Sequence, residues 1–167
     1  MPTHDIHQPP PFFEYVRLED DSVPEARPDC LDVALLDMNH SWPNVGHDAL
    51  VNVVLEAADV LSEELERKRM KVRVLSYDVR RRNMIPQSPN GRFKVYVGTG
   101  GPGHLDPRLN DGKHEWSQGV AESDKWEAPL FRLYDDILAD SSASMIAVCH
   151  SFGLVSTYVL NARSPNS

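Results

Sequence analysis

Four short apolar runs, each separated from the next by a connection too long for a hairpin, decide what this chain can fold into. They are Val33–Asp37 (VALLD), Lys71–Tyr77 (KVRVLSY), Phe93–Val97 (FKVYV) and Ser144–Val148 (SMIAV). Runs with little polar alternation suit strands buried on both faces, and long connections suit crossovers between parallel neighbours. Between the first two runs, Asp48–Arg69 reads as a helix with Leu50, Val54, Ala57, Ala58, Leu61 and Leu65 on one face. Glu63 with Arg67 and Glu64 with Lys68 are favourable i,i+4 pairs, and Arg67–Arg69 suits the negative end of the helix dipole. Pro129–Asp140 forms a second helix with Leu130, Phe131, Tyr134, Ile137 and Leu138 inward, and Gly153–Leu160 starts a third. The order β-α-β-loop-β-loop-α-β-α predicts an α/β fold, a three-layer doubly wound parallel sheet. Chains of this class usually continue with more strands, so the sheet is expected to be truncated after the last helix.

A length of 167 residues, 41% apolar and 25% charged, fits one globular domain. Residues 1–29 hold six of the 13 prolines and are expected to be an extended arm outside the core, with Phe12, Phe13 and Tyr15 free to dock. Residues 30–167 are expected to be the α/β domain. A net charge of −8 argues against nucleic-acid partners. Arg67–Arg82 is locally basic, with eight of the 17 basic residues against Asp78 alone, and reads as a solvated face or a surface for an acidic partner. Cys30 and Cys149 lie far apart, which argues against a disulfide framework and a cysteine-ligated metal. His4-Asp5-Ile6-His7 has ligand-type residues but no scaffold, so neither metal nor cofactor is expected. No apolar run approaches the ~18 residues of a membrane span, and the N-terminus has no signal-like pattern. No membrane association and a cytoplasmic setting are expected.

Two loops carry chemistry. Gly98-Thr99-Gly100-Gly101-Pro102-Gly103 follows the third run directly, and four glycines in six residues suit a backbone cradle for an anion or oxyanion. It matches G-x-G-x-x-G, but a proline and a turn follow where a dinucleotide site needs a helix. His104-Leu105 stand where a phosphate-binding loop needs Lys and Ser or Thr. In Ala147–Gly153 a strand ends, Cys149 follows, and an apolar helix begins. That is the architecture of a nucleophile elbow, in which a helix N-terminus favours a thiolate. Adjacent strand ends would bring the two loops together. His104 and Asp106 flank the glycine loop, and Trp116 and Trp126 bracket a stretch, Asn110–Glu127, long enough for a lid.

YVGTGGPGHLDP followed by AVCHSFGL resembles the class I glutamine amidotransferase family over roughly residues 31–160. The resemblance implies a flavodoxin-like fold and hydrolysis of the glutamine side-chain amide through a cysteine thioester. Carried over by position, Cys149 is the nucleophile and the backbone N–H groups of Gly101 and His150 form the oxyanion hole. Gly100, Gly103, Ser151 and Gly153 would contact substrate. The implied ligand is glutamine or a related small amide, and the implied partner is a synthetase. Self-association through an open sheet edge is the alternative. Three positions depart from the pattern. Ser151 replaces a glycine, Gly153 replaces a glutamine that helps hold substrate, and no His, Asp or Glu lies beyond His150. His40, His47, His104 and His114 all lie upstream. The chain alone is therefore expected to have little or no activity. Two other readings use the same residues. His150–Gly153 also resembles the elbow of an α/β-hydrolase with Ser151 as nucleophile, and a non-catalytic binding or regulatory module fits the same fold.

Overall fold

The computed structural model describes Ile6, residues 8–86 and residues 92–162. Five strands form one parallel sheet: β1 (Phe13–Arg17), β2 (Cys30–Asp37), β3 (Lys71–Asp78), β4 (Val95–Gly98) and β5 (Ser144–Ala147). Their order is β1-β3-β2-β4-β5, and every pairing is parallel. Helices α1 (Val45–Val60) and α2 (Ser62–Lys68) cover one face, over Val33, Leu35, Val72, Val74 and Val97. Helices α4 (Glu127–Ala139) and α5 (His150–Ala162) cover the other, over Ala34, Leu36, Leu75, Tyr77 and Tyr96. A four-residue helix, α3 (Val79–Arg82), follows β3. The fold is a flavodoxin-like three-layer α/β sheet, as the run-and-crossover pattern predicts.

The alternating faces of β2 show why the sheet forms. Val33 and Leu35 point to one core, Ala34 and Leu36 to the other, and Leu35, Ala34 and Leu36 are almost wholly inaccessible. Burying a Leu side chain contributes roughly 1.5–3 kcal/mol. Both faces of the central strands are therefore driven inward, and only a sheet covered on two sides can accommodate them.

The expectation of an arm outside the core fails for residues 13–18. Phe13–Arg17 adds to β3 as a fifth strand, with Phe13 opposite Val72 and Arg17 opposite Ser76. Phe13 is 2% exposed and Leu18 is 2% exposed, one in each core. The prolines flank this strand rather than interrupt it, so every N–H the ladder needs is present, as at a tolerable sheet edge. Arg17 locks the end of β1 across the sheet. Its guanidinium donates to Asp37 Oδ2 (3.1 Å) and Asp78 Oδ2 (3.0 Å) and stacks on the Trp42 ring 3.6 Å away. Of His4-Asp5-Ile6-His7, only Ile6 lies within the described residues, and it is buried.

The expected helix over 48–69 is two helices, and its buried face is displaced. Asn44 caps α1 by accepting from the His47 N–H at 2.6 Å, so the helix begins at Val45. His47, Val51, Leu55 and Ala58 face the sheet, whereas Ala57 and Leu61 are exposed. The backbone tightens at Leu61, whose N–H turns back to Ala58 O, and α2 then directs Leu65 inward. In α4, Leu130, Leu133, Tyr134 and Ile137 are buried, while Leu138 is exposed. The basic stretch turns out to be built into ion pairs. Arg67 and Lys68 pair with Glu64, Arg73 with Asp32, Arg80 with Glu122, and Arg82 with Glu19 and Asp78. Arg73 and Arg80 are buried, whereas Arg67, Lys68, Arg69, Arg81 and Arg82 are exposed, so the run is a solvated face in part and a buried anchor at two positions.

Among the described residues, no helix is long and apolar enough to cross a membrane.

Candidate active site

From β2 the chain crosses to β3 on one side, then returns past β2 to β4 on the other. The sheet's switch point therefore lies between the C-terminal ends of β2 and β4, where doubly wound sheets place ligands. The Gly98–Gly103 loop leaves β4 at that point, and the elbow leaves β5 beside it.

Thr99 ties the loop to β2. Its N–H continues the ladder to Leu36 O (3.0 Å), and its Oγ1 accepts from the Met38 N–H (2.8 Å) and donates to Gly100 O (2.9 Å). Of the next two residues, Gly101 has no room for a side chain and Gly100 has little. A Cβ on Gly101 would lie 2.1 Å from Met38 O. A Cβ on Gly100 would lie 3.2 Å from Cys149 Cβ and 3.6 Å from Cys149 Sγ. The close approach of loop and thiol that the sequence suggests is thus present, and glycine is the residue that allows it.

Cys149 turns the chain from β5 into α5 with φ 51°, a left-handed conformation uncommon for a residue with a side chain. The turn lifts its side chain to the surface, where the thiol is free and exposed. Val148 N–H bonds to Gly98 O (3.1 Å) and Ser151 N–H to Thr99 O (3.3 Å), so the elbow is stitched to the loop on both sides of Cys149. The backbone N–H of His150 is the first of α5 and has no partner within its own helix.

The remaining residues expected at the site face inward. Ser151 is 1% exposed and its hydroxyl donates to Thr99 O at 2.6 Å. A Cβ on Gly98 would meet that Oγ at 2.5 Å. Gly103, with φ 86°, packs on Asn110 and gives its N–H to Gln118 Oε1 (3.1 Å). Gly153 lies against Leu105. The structure therefore brings Gly100 against Cys149, with Gly101 and the His150 N–H next to them along the chain, and ties Gly103, Ser151 and Gly153 into internal packing.

The His150 side chain is buried, and its Nε2 has no hydrogen-bond partner. Burial, with the nearby Arg80 charge, lowers its pKa to about 4, against the opposing pull of Glu122 and a hydrogen bond with the Gly101 backbone. The ring is neutral at pH 7. Among the described residues the other histidines are occupied elsewhere. His40 Nε2 meets Glu122, and His114 Nδ1 meets Asp111. His104 Nδ1 accepts from the Asp106 N–H (3.0 Å), which places the proton of the neutral ring on Nε2. None is hydrogen-bonded to the Cys149 sulfur.

Two arrangements were hidden from the sequence. Ser76 Oγ lies 2.8 Å from His47 Nε2, and His47 Nδ1 lies 2.9 Å from Asp48 Oδ1. The connectivity is that of a hydrolase triad, but Ser76 and His47 are both wholly buried between α1 and the sheet. It pins the helix and meets no substrate. The second is a buried Arg80–Glu122 pair below the glycine loop, with Asn110 and Trp126 also donating to Glu122. The stretch expected as a lid is anchored there, since Asn110, Ser117, Val120 and Trp126 are all buried. Among the described residues, no cluster of three or more His, Cys, Asp or Glu side chains is placed to hold a metal ion.

The fold and elbow place the molecule among flavodoxin-like α/β proteins with a cysteine at a strand-to-helix turn. Comparison with protein-family models, with curated proteins and with solved structures gives no match.

Proposed function

We propose that the protein is a class I glutamine amidotransferase-like enzyme with Cys149 as nucleophile. The observation that carries this reading is the elbow: Cys149 at φ 51°, exposed at the end of β5, with Gly100 against its sulfur. The Cys149 thiolate adds to the side-chain amide carbon of glutamine. The resulting oxyanion is received by the Gly101 and His150 backbone N–H groups at the head of α5. Cleavage of the C–N bond, with a proton delivered to nitrogen, releases ammonia and leaves a γ-glutamyl thioester. Water then cleaves the thioester to glutamate and restores the thiol. Donors fixed by a packed loop need no reorganisation as charge develops, which is where such sites gain most of their rate.

The buried Ser151 hydroxyl, committed to Thr99 O, argues against a serine nucleophile at this elbow. The absence of a histidine hydrogen bond to the sulfur among the described residues bears on rate rather than identity. A site that works without such a base is expected to turn over about 10²–10⁴-fold more slowly than a complete one.

Labelling with a glutamine-mimicking diazoketone, followed by peptide mass spectrometry, tests the reading. The expected result is modification of Cys149 and slow ammonia release from glutamine that disappears in Cys149→Ala. Modification of Ser151 by a fluorophosphonate, with Cys149 untouched by the diazoketone, would overturn it.

A further inference from the structure

Arg80 leaves the short α3 and runs, wholly buried, beneath the glycine loop. Its guanidinium faces two ways. Nη1 donates to Met38 O (3.0 Å) and Pro102 O (2.7 Å), one carbonyl from the end of β2 and one from the loop itself. Nε and Nη2 donate as a fork to the two oxygens of Glu122, at 2.9 and 2.6 Å. A Cβ on Gly101 would fall 3.0 Å from Nη1, so the guanidinium lies directly against the loop at Gly101.

Glu122 is as buried as its partner and is saturated with donors. It also accepts from Asn110 Nδ2 (2.6 Å) and Trp126 Nε1 (3.1 Å), and His40 Nε2 lies 3.2 Å away. Burial alone would raise its carboxyl, but these hydrogen bonds outweigh it and hold the pKa at about 2. A charge so held is a fixed post. Through Asn110, which bonds the backbone N–H and C=O of His104 (2.7 and 2.8 Å), the same post supports the chain immediately after the loop.

We propose that Arg80, braced by Glu122, is the positioning residue of the Cys149 site: by holding the Met38 and Pro102 carbonyls from below, it fixes the Gly100–Gly101 backbone against the thiol. The inference rests on the amidotransferase reading above. Arginine is the residue that can do this, because its planar fork binds Glu122 while a separate nitrogen serves the carbonyls. A lysine keeps the charge but cannot make both sets of bonds. The role is one of geometry, so it bears on reactions that need the loop's N–H groups and not on simple alkylation of the thiol.

The experiment compares two reagents on Cys149 in folded protein, checked by circular dichroism. The glutamine-mimicking diazoketone needs the loop; iodoacetamide needs only the thiol. In Arg80→Lys the diazoketone rate is expected to fall by about tenfold or more, as displacement of a reacting geometry costs up to ~10²-fold, while the iodoacetamide rate changes less than about twofold. Removing one member of a buried pair leaves the other uncompensated, so a variant carrying Arg80→Met together with Glu122→Leu supplies the same comparison if Arg80→Lys does not fold. Equal loss with both reagents, or no loss with either, overturns the positioning role alone. Failure of the diazoketone to label wild-type Cys149 that iodoacetamide does label overturns the amidotransferase reading and this inference with it.

Discussion

Cys149 occupies a left-handed backbone position that costs a side-chain-bearing residue about 1–2 kcal/mol. The surrounding bonds from Val148 and Ser151 to the glycine loop hold it there. Replacing it with glycine removes the penalty together with the thiol. Cys149→Gly is therefore expected to raise stability by about 1 kcal/mol, read as an increased urea midpoint, whereas Cys149→Ala leaves it nearly unchanged. No gain in the glycine variant would mean that the turn is unstrained. His150 and Glu122 set the acid response in adjoining windows. His150 binds its proton in the unfolded chain near pH 6.5 but in the folded protein only near pH 4. Stability is therefore expected to fall as pH drops from 6.5 to 4, by up to about 3 kcal/mol. Glu122 is the opposite type of group. It is ordinary when unfolded and held at about 2 when folded, so its contribution is full above pH 4.5 and is lost towards pH 2. Urea unfolding at stepped pH checks both: His150→Gln should flatten the upper window and Glu122→Gln the lower.

At the scale of elements, the first strand gives the sharpest test. Phe13 is packed against Val72 and its neighbours, so Phe13→Ala is expected to cost about 3–5 kcal/mol, measurable by chemical denaturation. A loss near zero would return the segment to the status of a free arm. The same strand shows where the sequence was silent. β2 and β3 announce themselves because both faces are apolar. By contrast Phe13–Arg17 (FEYVR) carries two charges and lies between proline clusters, and only the alternation of Phe13, Tyr15 and Arg17 with Glu14 and Val16 hinted at a half-buried edge. The helix after β2 was legible in kind but not in face, since its start depends on the Asn44 cap, one turn before the apolar periodicity becomes clear. Asn44→Ala is expected to cost about 1 kcal/mol by thermal melt. The elbow and glycine loop could be read because each is a contiguous string. The Arg80–Glu122 pair could not, because its members lie 42 residues apart and nothing local marks either as buried.

Taken whole, the sheet is supported unevenly. β2 lies between β3 and β4, with helices on both faces, whereas β5 has one neighbour, β4, and exposes Ile146 at about half its surface. Amide hydrogen exchange is expected to run slowest in β2 and β3 and markedly faster in β5 and the first turns of α5. Uniform protection across the five strands would contradict this. The consequence concerns the thiol. Cys149 is mounted on the strand expected to open readily, while the glycine loop it faces is anchored to the interior through Thr99 and Arg80. The two halves of the site thus belong to different tiers of the molecule's stability, and brief fraying of one margin separates them without unfolding the rest. A small molecule bridging thiol and loop would act as a splint, slowing exchange in β5 while the centre of the sheet keeps its rate.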